Sequence, residues 1–339
     1  MSLALVTGAG GFVGAHVAQE LIDHGWTVRA LVRPESLRGP HTWPDGCAPA
    51  AGDLRDRDAV MRAARGVDAV FHVAAAYSLA RHRSREVMRT NTLGTVNVID
   101  AATAAGARLV HTSSVATIGL PADGTPGDED TPLPRRQTIG AYKRSKLASE
   151  RLVLDAAARG LHAVVVNPSA PVGPGDWKPT PTGRVIRDFL LGRMPAFVDT
   201  GLNLIHVRDV ATGHRLALER GTPGRRYILG NENLTLEEIL RLLAEVSGYP
   251  APTRRIGHGV AIAFSALDEL VEGYVLRREP RAPLDGARMA RKRMFFTGER
   301  AVRELGVPLT PIRRALEEAV AWYWVNGVPR RAVPRRAAT

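Results

Sequence analysis

The stretch "IGAYKRSKLASERLV", residues 139–153, sets Tyr142 four residues ahead of Lys146. On a helix that spacing is about one turn, so the two side chains share a face. A free phenol titrates near ~10 and is a poor base at neutral pH. A neighbouring ammonium favours the phenolate and draws that value toward the working range, which makes the pair a candidate for proton transfer. The spacing is short and common, so a basic helix with Lys143 and Arg144 turned to solvent or substrate is the competing interpretation. Upstream, "LVHTSSVATIG" is an apolar run that ends in two hydroxyls, Ser113 and Ser114. Near the start, "VTGAGGFVG" spaces Gly8, Gly11 and Gly14 three apart, with Phe12 and Val13 inside the same loop. A glycine turn that enters a helix offers a pyrophosphate free N–H groups and the positive end of the helix dipole.

Such residues act only if the chain delivers them to one place. The first half alternates short apolar runs ("LALVTG", "TVRALVR", "DAVFHVAA", "RLVHTSS", "HAVVVNPS") with longer amphipathic ones. That order, with strands apolar throughout, predicts an α/β fold: a doubly wound parallel sheet (Rossmann) covered by helices on both faces. Gly25, Gly66, Gly106 and Gly160 stand where the helices should stop. In an open parallel sheet ligands sit beyond the carboxyl ends of the strands, which places Ser113 and Ser114 at a site. After Pro168, "PSAPVGPGDWKPTPTG" is dense in proline and glycine and is expected to form an irregular wall or lid. "NLIHVRDVATGHRLALER" predicts a return to the sheet followed by a helix. "NLTLEEILRLLAEVSG" predicts a helix capped by Thr235, with Glu238 three residues on. The expected organisation is a cofactor-binding core over 1–168, to which 203–220 returns. A smaller, mainly helical, discontinuous substrate-binding part follows over 169–202 and 221–328, with a basic tail over 329–339.

The glycine loop has a strand before it, a helix after it and a second strand about twenty residues on, the context a dinucleotide site requires. NAD sites usually end that second strand with a carboxylate for the ribose hydroxyls. Here "ALVRPES" places Arg33 there, and a guanidinium can pair with a 2′-phosphate, so NADP(H) is favoured. Glu35 nearby keeps NAD(H) open, and an exposed surface arginine is the alternative role for Arg33. Asp53 in "AGDLRD", followed by Leu54, comes after the third strand. Its carboxylate could receive an adenine amino group, cap the next helix, or do both.

At 339 residues, with 45% hydrophobic and 24% charged, the chain can bury a sizeable core. Cys47 is the single cysteine, which excludes an intrachain disulfide and fits a reducing, cytoplasmic setting. No secretory signal is visible, because Ser2–Thr7 already reads as a buried strand. The apolar run from Val260 to Leu276 is broken by Asp268, Glu269 and Glu272 and makes a poor membrane span. Packing against the sheet is the simpler role for that run; lining a larger, partly apolar or lipid-linked substrate is the other. The formal charge of +12 comes mostly from scattered arginines, with clusters at Arg277–Arg303 and Arg330–Arg336. Interleaved aromatics that would stack bases are missing, so a solvated basic surface is expected and no nucleic-acid partner. If the basic surface is functional, anionic substrates or peripheral contact with anionic lipid head groups are open. No metal site is expected.

Taken together, the TGxxGxxG loop, the strand-terminal "SS", the YxxxK helix and "NPSAPVGPG" resemble the extended short-chain dehydrogenase/reductases, also called the NAD-dependent epimerase/dehydratase family. The resemblance runs from Ala4 to about Trp324. "HTSSVATIG", "GAYKRSK", "DTGLNLIHVRDVATGH" and "MARKRMFF" look most like the hopanoid-associated sugar epimerases, while "GWTVRALVRP" and "VFHVAA" are similar to dihydroflavonol-4-reductase-like enzymes. The resemblance implies a pyrophosphate role for Gly8, Gly11 and Gly14, and proton transfer and ribose binding for Tyr142 and Lys146. It selects Ser114 over Ser113 by its spacing to Gly119. It also implies that His72, Ala74 and Asn91 line the adenosine side and brace the central helix, that Pro168 and Ser169 lie beside the nicotinamide, and that the protein is a homodimer. Nucleotide-sugar epimerases of this superfamily carry an arginine before the "IHVxD" segment, where this chain has Leu202. The expected activity is therefore interconversion of a ketone and a secondary alcohol, leaning to NADPH-dependent reduction. A redox-neutral epimerisation of a sugar or polyol and a non-catalytic dinucleotide-binding regulator are the alternatives.

Overall fold

Continuous apolar runs become strands here because both of their faces are covered. In β1 (Leu3–Thr7), Ala4 and Val6 enter one hydrophobic core and Leu5 enters the other. In β6 (Ala163–Pro168), Val164 and Val166 likewise oppose Ala163 and Val165. That two-sided burial is the signature of a parallel sheet between helical layers. The computed structural model describes residues 2–38, 43–78, 81–270, 272 and 284–331.

The large sheet also contains β2 (Thr27–Val32), β3 (Cys47–Ala51), β4 (Ala69–His72), β5 (Arg108–Thr112) and β9 (Arg226–Leu229). Its order is β3-β2-β1-β4-β5-β6-β9, with every pairing parallel. Helices α1 (Phe12–Asp23) and α6 (Val207–Arg220) bury Val17, Leu21, Val210 and Leu218 on one face. On the other, α2 (Arg57–Ala63), α3 (Ser84–Ala105) and α4 (Gly140–Ala158) contribute Val60, Val98 and Val153. This is the doubly wound α/β fold expected from the alternation. The strand order reverses between β1 and β4, which is where such sheets open a ligand crevice. The four glycines expected to end helices all have positive φ, between 64° and 103°.

The chain after Pro168 departs from the sequence reading in three places. The expected irregular wall contains β7 (Ala170–Val172), which pairs with β8 (Gly201–His206). β8 was expected to return to the large sheet, but it joins a second, four-stranded sheet with β10 (Glu232–Thr235) and β11 (Arg293–Met294). The returning strand is β9, twenty residues later; both segments are short and apolar, and only long-range pairing separates them. A second core forms around the small sheet from α5 (Pro181–Leu190), α7 (Leu236–Ser247) and α10 (Ile312–Val325), through Ile186, Leu240 and Leu316. Thr235 caps α7 in a full capping box with Glu238, as its sequence signals.

The third departure is α8 (His258–Asp268), which packs with α9 (Leu284–Met289). Its apolar face does not pack against the sheet: Val260, Phe264 and Leu267 are 63%, 62% and 60% exposed, whereas Ser265 is buried. Residues 273–283 and 332–339 carry the end of the run to Leu276, part of the basic clusters and most of the basic tail. They lie outside the described residues. Of the tail's start, Arg331 lies over the Tyr249 ring and donates to the Leu190 carbonyl at 2.7 Å. Among the described residues no helix is long and apolar enough to cross a membrane, and no group of side chains could hold a metal ion.

Candidate active site

The crevice starts at the turn between β1 and α1. Gly8 has φ of 77°, and a Cβ there would lie 2.8 Å from the Ala74 backbone after β4. A Cβ on Gly14 would come within 2.0 Å of the Gly8 carbonyl oxygen. These two glycines let the strand, the helix and the β4 loop meet. Gly11 differs: it is exposed and is the N-cap of α1, with no side chain capping the first turn. The leading amides of a helix have no intrahelical partner, and with no side chain capping them the first-turn amides of α1 are of the kind that can hold an anionic diphosphate. Thr7 Oγ1 accepts from the Ala74 amide at 3.1 Å and lies 2.9 Å from His72 Nδ1. His72 also reaches Thr95 on α3 (3.1 Å), and burial pushes it down to about 3, so it is a neutral brace.

Arg33 follows β2 and is 61% exposed, with a loose contact to Glu35 at 3.4 Å. Asp53 follows β3, where its carboxylate is gripped by Arg55: Nε and Nη2 approach at 2.9 and 2.8 Å, and the Arg55 amide at 2.8 Å. That bidentate contact holds the Asp53 carboxyl below its ordinary range. Asp53 does not cap the next helix, contrary to one expectation; Asp56 does, accepting from the Ala59 amide. The Leu54 carbonyl accepts from Asn97 at 2.7 Å, which fixes this loop to α3.

At the end of β5 the two serines part. The Ser113 hydroxyl is buried and donates to Glu150 Oε2 at 2.5 Å. Ser114 Oγ accepts from the Ala116 amide at 3.1 Å, and its hydroxyl lies near enough to the Tyr142 phenol on α4 to lower it. Lys146, one turn on, is buried and donates to the Thr112 carbonyl at 2.8 Å. Burial draws its ammonium down to about 8 against the pull of Glu150. Burial pushes the Tyr142 phenol up, and the Ser114 hydroxyl partly offsets this. The lysine-lowered tyrosine expected from the sequence is therefore not a property of the chain alone, because desolvation outweighs other influences on the phenol. Of the two residues expected to turn to solvent or substrate, Lys143 is buried and does not face solvent, while Arg144 is exposed.

Pro168 ends β6 next to β9. The Ser169 amide donates to the Leu229 carbonyl at 2.9 Å, but its buried hydroxyl has no hydrogen-bond partner among the described residues. An orphaned hydroxyl beside this crevice fits a polar cofactor group such as a carboxamide. Asn91 on α3 gives and takes hydrogen bonds with the Ala76 backbone (3.0 and 2.7 Å) and donates to Ser145 at 2.8 Å. It thus ties the β4 loop to the helix that carries Tyr142.

Comparison with known proteins is decisive about kinship. The model of the NAD dependent epimerase/dehydratase family matches residues 4–230. The chain belongs to that family. Its relatives include a Synechocystis sp. protein provisionally named dihydroflavonol 4-reductase, 45% identical over 95% of this chain and 94% of its own. Sterol demethylase protein B of Methylococcus capsulatus is 36% identical over 96% of this chain and 99% of its own. Among solved structures, gox2253 superposes with a TM-score of 0.83 at 42% identity, covering 96% of this chain and 99% of that one. The epimerase/dehydratase family binds NAD(P) and comprises oxidoreductases and epimerases acting on small molecules, so this chain is an enzyme of the extended short-chain dehydrogenase/reductase type.

Two features of this member were not read from its sequence. Tyr77, in the loop after β4, meets the Tyr142 ring edge-on at a centroid distance of 4.7 Å. Its position just past a strand's carboxyl end was the available signal. Glu150 is the second: its Oε2 accepts from Ser113, Thr117 (2.7 Å) and Asn167 (2.8 Å), and its Oε1 from Arg226 (2.9 Å). Asn167 also donates to the Ser114 carbonyl at 3.1 Å, so this buried hub helps set the Ser114 backbone.

Proposed function

We propose that the protein reduces a ketone to a secondary alcohol with NADPH, using Tyr142 as the proton donor, Ser114 to hold the substrate oxygen and Lys146 to assist. The observation that carries this assignment is the gathering of Ser114 and the Tyr142 phenol at the carboxyl end of β5, with Lys146 one turn along the same helix and bonded to the Thr112 carbonyl of that strand. The first-turn amides of α1 would hold the pyrophosphate, Arg33 a 2′-phosphate, Asp53 and Ala74 the adenosine side, and Pro168 and Ser169 the nicotinamide. When bound, the reduced nicotinamide supplies hydride. The carbonyl oxygen, held by the Ser114 hydroxyl, becomes an alkoxide and takes the proton of the Tyr142 phenol. A phenol that burial keeps protonated is the form this step needs. The tyrosinate left behind is stabilised by the Lys146 ammonium until solvent restores its proton.

Reduction is preferred to epimerisation of a nucleotide sugar for a specific reason. Leu202, at the position where those epimerases place an arginine, packs against the second hydrophobic core. Arg208 nearby is paired with Glu318 at 3.1 Å. Neither offers a free guanidinium to a diphosphate. The test is NADPH oxidation across a carbonyl panel with wild type and Tyr142→Phe. The substitution should lower kcat by about 10²–10⁴-fold, the usual worth of a positioned general acid. Tightly bound NAD with no net turnover of NADPH in the wild type would instead support epimerisation.

A further inference from the structure

Lys143 is the group on α4 that the reduction step does not use. It is only 6% exposed, yet no hydrogen bond or ion pair to its side chain is found among the described residues. Burial, and then the Lys292 charge, push its ammonium down to about 8. On α4 it lies three residues before Lys146 and seven before Glu150, so the three share a stripe. That stripe faces the carboxyl ends of the central strands, because Lys146 bonds Thr112 and Glu150 bonds Ser113 and Asn167. Lys143 stands at the amino-terminal end of the stripe, next after Tyr142 in the chain.

From the opposite side, α9 closes over the start of α4: a Cβ on Gly140 would lie 2.9 Å from Asp285 Oδ2. Asp285 is the acid that α9 brings here, and it pairs with Arg288 at 3.7 Å. Lys292, exposed just beyond α9, adds a second positive charge. Burying an ammonium without a counter-charge is costly, and a second cation raises that cost. As packing alone, such an arrangement is unfavourable.

We propose that Lys143 receives an acidic group of the substrate, a carboxylate or a phosphate, so that the ketone offered to Ser114 and Tyr142 belongs to an oxo acid or an oxo phosphate ester. The inference rests on the reductase reading for its chemistry, but not for its anion site. Two measurements keep the two apart. The first is calorimetric titration of malonate and of inorganic phosphate into the NADP-loaded protein. One site is expected in the wild type, weakened at least about tenfold in Lys143→Met and less in Lys292→Met, the scale of a charge-assisted contact. Whichever probe binds distinguishes carboxylate from phosphate. Absence of binding, or equal binding by Lys143→Met, overturns the proposal whether or not any ketone is turned over. The second is kcat/KM on matched pairs, an oxo acid against its methyl ester and dihydroxyacetone phosphate against dihydroxyacetone. The charged member of one pair should lead by about 10–100-fold in the wild type, and that ratio should collapse toward one in Lys143→Met. A ratio near one in the wild type, or one unchanged by the substitution, refutes it. Because Lys143→Met removes an uncompensated charge, its melting temperature should be no lower than that of the wild type, which excludes misfolding as the cause.

Discussion

Replacing Glu150 with Ala should destabilise the protein more than any single surface change, and the structure fixes how much. Glu150 is 2% exposed and receives four donors: Ser113, Thr117 and Asn167 on one oxygen and Arg226 on the other. Removing one partner of a buried ion pair typically costs ~3–5 kcal/mol, because the other charge is left uncompensated. The Arg226 side chain is 25% exposed and can recover some hydration, so the low end applies, about 3 kcal/mol. At roughly 2 °C per kcal/mol, a low-end value for chains of about 150–250 residues, the melting temperature should fall by about 6 °C. Glu150→Gln separates the two halves of the hub. Its amide oxygen can keep the three neutral donors, while the pairing with Arg226 is lost, so the expected cost is smaller, ~1.5–3 kcal/mol. Urea unfolding monitored by fluorescence, with calorimetry alongside, measures both. If Glu150→Ala lies within about 1 kcal/mol of the wild type, like an ordinary surface change, the hub does not hold the structure together as described.

The remaining predictions concern the cofactor and the titrating groups. Arg33→Asp should weaken NADPH far more than NADH in equilibrium titrations; an unchanged preference would remove Arg33 from the 2′-phosphate. With Tyr142 raised by burial and required protonated, kcat/KM for reduction should not fall as pH drops from 8 to 6, and should decline only on the alkaline side; a loss of rate toward acid would make Tyr142 a base in this direction. Ser114→Ala removes the contact that lowers the phenol, so its tyrosine-dependent alkaline limb should move to higher pH while the rate drops. Lys143 titrates at about 8 folded against 10.5 unfolded. Between those values the unfolded chain binds more protons, so stability from this group rises with pH. The stability gap between Lys143→Met and wild type should therefore narrow from pH 8 to 10; a gap constant across that window would contradict it.

Much of this was legible because the governing interactions are local or periodic. The alternation of apolar and amphipathic runs specifies the layers, the glycine spacing specifies the turn into α1, and Thr235 with Glu238 specifies a helix start. What was not legible depends on distant partners. Asp53 and Asp56 are both suitably placed before α2, and the backbone decides which one caps it. β8 and β9 have similar compositions, and their sheets are chosen by pairing with β10 or β6. Lys143 looks like a surface cation beside Arg144, and only the approach of α9 shows otherwise. Glu150 is unremarkable in sequence because its partners stand 17 to 76 positions away.

The proposed direction of the chemistry rests on the balance on one phenol. An epimerase must take a proton and return it within one cycle, so its acid–base group works best when both forms are within reach at the working pH. In this chain two opposing effects act on Tyr142: desolvation, which is the larger and favours the neutral phenol, and the Ser114 hydroxyl, which favours the phenolate. Lys146, one turn along α4, directs its ammonium to the Thr112 carbonyl at 2.8 Å and is itself drawn down by burial. The polypeptide alone thus biases the site toward donating a proton. Lys143 is buried on the same helix without a paired acid among the described residues, and neither Leu202 nor the paired Arg208 offers a free guanidinium to a nucleotide diphosphate. The proposed proton donation, together with the anion site proposed at Lys143, favours a reductase of a charged ketone over an enzyme that turns a nucleotide sugar within its pocket.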